Sequence, residues 1–126
     1  MAQATAKESP PRKSKGTELP NFNLWSFLLI IVFSFCVYAN ALKNGFVYDD
    51  KITIIESPLI KNINNLSSLF NEEYFEFSGE ITYRPIVTFS YLLDNTLYGL
   101  APWGYHLTNI IIHAMNGILL YIFLTY

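Results

Sequence analysis

Charged residues are scarce in this sequence. Only 14% of its 126 residues are Asp, Glu, Lys or Arg, whereas 52% are hydrophobic. A soluble domain carries about 25% charged residues, so the shortage indicates that lipid surrounds part of the chain. The net charge of −2 excludes the strongly basic surface that binds nucleic acid, and we expect no nucleic acid partner.

Motifs with a known chemistry are also few. The one cysteine, Cys36, excludes an internal disulfide. It lies in an apolar run, where a small residue facing lipid or another helix is the expected role. The sequence contains no glycine-rich phosphate-binding loop, no serine nucleophile motif and no cysteine cluster. Any chemistry must therefore come from scattered polar residues.

Two long apolar runs are present. Residues 24–42 carry no charge and would form a helix about 28 Å long, enough to cross a hydrocarbon core. Trp25 and Tyr38 lie near its ends, where aromatic rings favour the membrane interface. Residues 105–126 form the second uncharged run, with Trp103 at its entrance. We predict two transmembrane helices and expect the second one to be truncated, because no polar flank follows it.

Basic residues predict the orientation. Residues 1–23 are polar and are expected to form a disordered tail. Four basic residues of this tail lie close to the first span, whereas those of the loop, residues 43–104, are spread out. The tail residues are Lys7, Arg12, Lys13 and Lys15. The positive-inside rule therefore predicts a cytoplasmic N-terminus and an extracytoplasmic loop. Both a prokaryotic inner membrane and the endoplasmic reticulum are consistent with this orientation.

A cleaved signal peptide is the alternative for the first run. Ala39-Asn40-Ala41 matches the small-residue pattern of a cleavage site after an apolar segment. The long tail and the long apolar run favour an uncleaved span. The loop faces the same side of the membrane in both cases.

The loop itself is predicted to contain short helices that lie on the membrane surface. Ser57-Pro58 can open a helix that continues through Phe70, and Pro85 can be the first residue of a helix over 85–98. Residues 71–80 are interpreted as loop, and residues 99–104 as a turn. The predicted apolar side of the first helix is Ile63, Leu66, Leu69 and Phe70. That of the second is Ile86, Phe89, Leu93 and Leu97.

Asp49 and Asp50 are the first candidates for chemistry. Adjacent carboxylates on an extended backbone point in opposite directions, so one can face a cavity while the other holds a metal ion or a backbone donor. A carboxylate at a membrane surface suits a general base for a hydroxyl acceptor. A divalent cation such as Mg²⁺ or Mn²⁺ is the other possibility. The alternative is a solvated acidic turn.

Arg84 is the only arginine after the tail and stands in Tyr83-Arg84-Pro85. A guanidinium presents a planar fork of donors that suits phosphate. Near the interface Arg84 would bind a lipid phosphate. The alternative is a snorkelling side chain or an ion pair with Glu80.

The second span carries a polar stripe. Its members are His106, Asn109, His113 and Asn116. They fall within about 80° of arc on a helix, and polar side chains in a span face a bundle interior or a cavity. The alternative is hydrogen bonding between helices. Two histidines seven residues apart are too distant for a tight zinc pair.

The order of several short motifs resembles the N-terminal part of the transmembrane and tetratricopeptide-repeat-containing (TMTC) O-mannosyltransferases and their prokaryotic relatives. These enzymes belong to the GT-C class of polytopic glycosyltransferases. The resemblance covers residues 24–126. Its motifs are Asn44-Gly-Phe-Val-Tyr-Asp-Asp50, Ser57-Pro-Leu-Ile60, Leu66–Phe70, Tyr83-Arg-Pro85, Ser90-Tyr-Leu-Leu-Asp94 and Gly104-Tyr-His-Leu-Thr-Asn109. The sequence departs from the pattern at Ala101, where relatives often have Asn.

The resemblance implies an all-α membrane segment of a polytopic GT-C fold. It implies transfer of a sugar, expected to be mannose, from a polyprenyl-phosphate carrier to a protein or other acceptor outside the cytoplasm. Asp49 or Asp50 would be the general base or a metal-associated carboxylate, and Arg84 would lie near the carrier phosphate. His106 and Asn109 would support the cavity. Because further spans and repeats are missing from these 126 residues, we expect the chain alone to be inactive.

A different class of function stays open on the sequence. Two spans with a polar stripe also suit a non-enzymatic membrane protein that packs against a partner through that stripe. A third possibility is an anchor subunit for an acidic outer domain. In each case membrane lipid is a partner of the chain.

Overall fold

The computed structural model describes residues 22–78 and 80–126. The tail predicted to be disordered therefore lies outside the described residues except at its last two positions. The described residues form four α-helices and no β-strand, which confirms the all-α prediction. The helices are α1 (Leu24–Tyr38), α2 (Glu73–Phe77), α3 (Pro85–Tyr98) and α4 (Pro102–Thr125). Short 3₁₀-helical segments cover Ala39–Lys43, Leu59–Lys61 and Ile63–Phe70. A π-helical turn covers Lys51–Glu56.

Two of these segments are long and apolar enough to cross a membrane. The first is Leu24–Lys43, which joins α1 to the turn that follows it and has a mean hydropathy of 2.0. Its start is capped by the Asn23 side chain, which accepts a hydrogen bond from the Trp25 N–H at 3.0 Å. The second is α4, with a mean hydropathy of 1.8. It begins at Pro102, a favoured first helical residue, three positions before the predicted start.

The two long helices pack against each other in antiparallel fashion. Phe27 near the start of α1 contacts Tyr121 near the end of α4, with ring centroids 5.3 Å apart. Tyr38 at the end of α1 meets His113 with centroids 4.8 Å apart. Ser34 is the only residue of α1 that is buried. Most of the apolar surface of both helices is therefore available to lipid.

The segment 57–70 was predicted to be one helix, and this prediction is wrong. It forms two short turns separated by Asn62, whose backbone is extended at φ −140° and ψ 128°. The Asn62 side chain accepts a hydrogen bond from the Asn64 N–H, and the Asn65 amide donates to the Pro58 carbonyl at 2.9 Å. Asparagine side chains compete in this way with helical hydrogen bonds. Of the predicted apolar side only Leu69 is buried.

The segment 71–80 was predicted to be loop, and this is also wrong because α2 lies within it. The Asn71 side chain accepts a hydrogen bond from the Glu73 N–H at 2.9 Å, which supports the first turn of the helix. Tyr74 in this helix is 0% exposed. Burial of this one large ring stabilises a helix that is too short for periodicity to detect.

The helix α3 has the predicted bounds, and the face that it buries is not its apolar stripe. Its buried residues are Thr88, Leu92 and Asp94. Of the predicted apolar stripe, Ile86, Leu93 and Leu97 are exposed, and Phe89 is only partly buried. Hydrogen bonds made by Thr88 and Asp94 select the inward face, and the apolar stripe faces away from the described residues.

A small core joins the loop to the beginning of α4. It comprises Ile54, Leu59, Ile60, Leu69, Tyr74, Leu92 and Tyr105. Phe46 packs on Tyr105 with ring centroids 5.2 Å apart, and Tyr91 lies on the same ring at 6.2 Å. Because Phe46 precedes the Asp pair by three residues, this packing positions the acidic turn next to the Pro102 end of α4.

Candidate functional site

The Asp49-Asp50 pair lies in a tight turn rather than in an extended strand. Asp50 has helical angles, φ −56° and ψ −28°, so the expectation of an extended backbone at the pair is wrong. The preceding residue, Tyr48, has φ 50°, a left-handed conformation that is uncommon for a bulky residue. Its ring is 96% exposed, so no packing of the ring explains this conformation.

The two carboxylates have different surroundings. Oδ2 of Asp50 accepts a hydrogen bond from the Val47 N–H at 3.0 Å, which closes the turn, and Asp50 is half-buried. Asp49 is exposed, and only its backbone carbonyl is engaged. It accepts from the N–H groups of Ile52 and Thr53 and from the Thr53 hydroxyl. Within the described residues the Asp49 carboxylate has no hydrogen bond, so it can meet a ligand.

The pair does not form a metal site by itself. Across residues 22–78 and 80–126 no three His, Cys, Asp or Glu side chains lie close enough together to hold one ion. Asp49 and Asp50 together therefore offer at most two carboxylates to an ion. Mg²⁺ keeps several waters and binds through one or two carboxylates plus substrate phosphates, so a cation here would need such outside ligands.

Arg84 is held by a carboxylate. Its Nε donates to Oε2 of Glu80 at 2.9 Å, and the Glu80 side chain is 3% exposed whereas that of Arg84 is 46% exposed. The hydrogen bond to Glu80 and then its charge raise the pKa of Arg84 above the usual value. The ion pair with Glu80 is thus present. It uses Nε, and the two Nη groups have no hydrogen bond among the described residues.

Tyr74 organises the surroundings of Arg84. Its hydroxyl donates to Oε2 of Glu80 at 2.9 Å and accepts from the Arg84 N–H at 3.1 Å. It also shares a hydrogen bond with the Thr88 hydroxyl at 3.0 Å. Burial raises the pKa of the Tyr74 hydroxyl. Sequence reasoning missed this residue because it lies in the segment interpreted as loop.

Tyr91 links the acidic turn to Arg84. Burial is the main cause that raises the pKa of Tyr91, and the negative charge of Asp50 is the next. Arg84 acts in the opposite direction, while Glu80 and Asp49 raise the pKa further. All four charges therefore lie close enough to act on one hydroxyl. No motif in the sequence indicated Tyr91 beyond its place in Ser90-Tyr-Leu-Leu-Asp94.

Asp94 is a third residue that sequence reasoning did not single out. It is 3% exposed, and its Oδ1 accepts a hydrogen bond from the Thr108 hydroxyl. Burial raises the pKa of the Asp94 carboxyl. Because Thr108 lies in α4, this contact fixes α3 against the span. A charged residue inside an otherwise apolar helical pattern was the signal that could have found it.

Three members of the polar stripe line one cavity between α1 and α4. His106, Asn109 and His113 surround a volume of about 230 Å³ together with Tyr38, Ala41 and Ile110. Asn116 does not line it and is exposed. Nε2 of His106 is buried and has no hydrogen-bond partner among the described residues. We call the volume that these six residues enclose the span cavity.

These features define a class: an all-α membrane segment with two spans, an acidic turn and a polar cavity at one end of the span pair. Comparison with known proteins gives the relationship. Over 118 residues the chain is 28% identical to the protein O-mannosyl-transferase F38B6.6 of Caenorhabditis elegans, which covers 90% of this chain. It is 30% identical to the protein O-mannosyl-transferase TMTC3 of Homo sapiens over 106 residues, or 80% of the chain. The chain is therefore a relative of the TMTC O-mannosyl-transferases.

The chain is much shorter than these relatives. The two matches cover 16% and 12% of the respective relative. The match to TMTC2 of Mus musculus, at 33% identity over 86 residues, covers 62% of this chain and 10% of that relative. No family model matches the chain, and no solved structure matches it. The relationship thus concerns a segment of between about a tenth and a sixth of each relative.

Proposed function

We propose that this chain forms part of a membrane mannosyltransferase of the GT-C class that acts outside the cytoplasm. The donor is a polyprenyl-phosphate-linked sugar and the acceptor is a hydroxyl of a protein. The relatives are named protein O-mannosyl-transferases, and this name supports mannose transfer as the reaction. The observation that carries the proposal is that the Asp49 carboxylate is exposed and makes no hydrogen bond within the described residues, while Arg84 engages Glu80 through Nε alone.

The two carboxylates have separate roles in this proposal. Asp49 is the general base, because its carboxylate is exposed and is not used by a hydrogen bond within the described residues. It accepts the proton of the acceptor hydroxyl as that oxygen bonds to the sugar. Asp50 is a positioning residue, because its hydrogen bond to the Val47 N–H holds the turn. A Mg²⁺ or Mn²⁺ ion at the pair fits the proposal only with further ligands from the carrier phosphate and water.

Arg84 serves the leaving group. Glu80 holds Nε and thereby fixes the plane of the guanidinium, which leaves the Nη groups to bind two oxygens of the carrier phosphate. Tyr74 and Thr88 hold the backbone of Arg84 at the start of α3. As the bond between the sugar and the carrier phosphate breaks, Arg84 stabilises the negative charge that develops on the phosphate.

The test is mannose transfer in membranes that express human TMTC3 with this chain in place of its matching segment. Asp49→Asn is expected to lower transfer by about 100-fold or more, the usual share of a general base. Asp50→Asn is expected to lower it less than Asp50→Ala, because the asparagine oxygen still accepts from the Val47 N–H. Loss of transfer in EDTA, restored by Mg²⁺, would show that transfer needs a divalent cation.

Two results would contradict the proposal. One is undiminished transfer by the Asp49→Asn variant. The other is no transfer by a chimera that is expressed and folded as well as an active TMTC3.

The non-enzymatic alternative is favoured by one observation, the exposure of Asn116 on the membrane-spanning surface of α4. A polar amide facing lipid calls for a partner. This alternative predicts that Asn116→Leu abolishes association with another membrane protein. The mannosyltransferase proposal predicts that the same substitution leaves transfer unchanged.

A further inference from the structure

We propose that the span cavity binds a single neutral sugar ring. The inference rests on the proposed function, for which it identifies the place of the donor sugar. Four independent features of the cavity support it: the absence of charge in its wall, an unpaired histidine nitrogen, an aromatic pair, and its size and position.

The lining of the span cavity is polar without being charged. Tyr38, His106, Asn109 and His113 supply a hydroxyl, an amide and two imidazoles, and no Lys, Arg, Asp or Glu lines it. Such groups both donate and accept hydrogen bonds, which is what sugar hydroxyls require. A phosphate would instead call for a cation such as Arg84. The neighbouring cavity of about 500 Å³ is lined mostly by aliphatic and aromatic side chains such as Leu29 and Phe33 and has few groups that could bind hydroxyls.

The unpaired nitrogen of His106 indicates that a partner belongs there. Nε2 is buried and makes no hydrogen bond to any part of the chain that the structure describes. A buried polar atom left without a partner is costly, and inside a membrane no bulk water is at hand to satisfy it. Because Nε2 is buried, the imidazole must rotate to turn it toward the span cavity before a ligand hydroxyl can provide the missing hydrogen bond.

The aromatic pair suits the apolar side of a sugar. The rings of Tyr38 and His113 meet edge to face, with centroids 4.8 Å apart and planes inclined by 72°. An edge-to-face contact uses the edge of one ring and one face of the other, so the remaining faces are free of that contact. A pyranose has an apolar face of C–H groups that packs on an aromatic ring while its hydroxyls reach the neighbouring polar groups.

The size and the position of the cavity agree with a donor sugar. A volume of about 230 Å³ equals roughly seven or eight waters at ~30 Å³ each, room for one ring and not for an oligosaccharide. His106 follows Tyr105, the residue on which Phe46 and Tyr91 pack. Along α4 the span cavity therefore begins one residue after the contact with Phe46, which precedes Asp49 by three residues.

The experiment uses the full chain, labelled with ¹⁵N and placed in lipid nanodiscs. Methyl α-D-mannoside is titrated while imidazole resonances are recorded, and inorganic phosphate and cyclohexane serve as comparison probes. We expect the mannoside to shift the Nε2 resonance of His106 in a saturable manner, and phosphate to leave it unchanged. A saturable shift with cyclohexane but not with the mannoside would overturn the inference in favour of an apolar ligand.

The matched variants are Asn109→Leu and Asn116→Leu, the same substitution on one helix, seven residues apart. Asn109 lines the span cavity, and Asn116 does not. Asn109→Leu is expected to weaken mannoside binding at least 10-fold, whereas Asn116→Leu leaves it unchanged. Helix content and thermal unfolding of both variants check that the fold is retained. Equal binding by both variants would overturn the inference.

The outcome is separable from that of the proposed function. Asp49→Asn is expected to lower transfer in the chimera by about 100-fold or more and to leave mannoside binding by the chain unchanged. If transfer depends on Asp49 while the mannoside does not bind the span cavity, the sugar site is wrong and the transferase proposal stands. If the mannoside binds but Asp49→Asn transfers normally, the transferase mechanism is wrong.

Discussion

Tyr74 connects three parts of the loop through one hydroxyl. It bonds to Glu80, to the Arg84 backbone and to Thr88, and its ring is 0% exposed. Removing the hydroxyl leaves the buried Glu80 carboxylate and the Thr88 hydroxyl with fewer partners. The position of Arg84 at the start of α3 therefore depends on a residue that binds no ligand.

Tyr74→Phe is expected to lower the free energy of unfolding by about 1–3 kcal/mol, the usual cost of unsatisfied buried polar groups. Thermal or denaturant unfolding of the chain in detergent measures it. Tyr83→Phe is the control, because Tyr83 belongs to the same aromatic group but is 50% exposed, and its hydroxyl makes no hydrogen bond to the described residues. Equal losses in both variants would show that the hydroxyl network is unimportant.

Asp94 is predicted to make stability depend on pH. Its folded pKa is raised by burial above the unfolded value near 3.8. The folded state therefore holds its proton more tightly, so stability is fully present below pH 3.8 and falls as pH rises through the folded pKa. Asp94→Asn keeps an oxygen for the Thr108 hydroxyl and cannot ionise. It is expected to remove this decrease and to be at least as stable as the parent at pH 7.

Unfolding measured between pH 3 and pH 8 tests this prediction. Asp94→Ala is the comparison, because it removes the acceptor of the Thr108 hydroxyl and is expected to cost about 1–3 kcal/mol. An Asp94→Asn variant that matches the parent at pH 3 but is less stable than the parent at pH 8 would show that the carboxylate charge stabilises the fold.

At the scale of helices, sequence patterns predicted where a helix lies better than they predicted which of its faces is buried. Pro85 correctly indicated the start of α3, because proline fits the first helical position. The apolar stripe of α3 is mostly exposed. Periodicity shows which residues share a face and not whether protein or lipid covers that face. The short α2 was missed because its stability comes from burial of Tyr74 and not from a repeated pattern.

The packing of α1 on α4 depends on Gly117. A Cβ at this position would lie 2.9 Å from Cγ2 of Ile30. Gly117→Ala is therefore expected to push the helices apart and to cost about 1–3 kcal/mol, as overpacking does. Thermal unfolding in detergent measures the cost. Ile30→Ala combined with Gly117→Ala is expected to recover part of it, because the methyl group in the way is gone.

Gly45→Ala is the control for the helix contact. A Cβ on Gly45 would meet nothing within 4 Å, so this variant is expected to leave stability within about 0.5 kcal/mol of the parent. If Gly117→Ala is as harmless as Gly45→Ala, the close approach of the two spans does not contribute to stability.

At the scale of the whole molecule, the candidate site was only partly predictable. The acidic pair, Arg84 and the polar stripe follow from residue types that are rare in apolar surroundings. The difference between Asp49 and Asp50 does not, because it depends on a turn that brings the Val47 N–H onto one of two adjacent carboxylates. The place of Tyr91 and Asp94 depends on how α3 packs on α4, which local sequence does not encode.

The orientation of the chain in the membrane decides whether the proposed chemistry occurs outside the cytoplasm. In a Cys36→Ser background, a cysteine at Glu72 reports on the loop and one at Lys15 reports on the N-terminal tail. Because basic residues cluster in the tail, an impermeant maleimide added to intact cells is expected to label Glu72→Cys and to label Lys15→Cys only after permeabilisation. Asp49 shares the connection between the spans with Glu72 and must lie on the same side. Labelling of Lys15→Cys but not Glu72→Cys in intact cells would place Asp49 in the cytoplasm, and transfer to an extracytoplasmic acceptor would then be impossible.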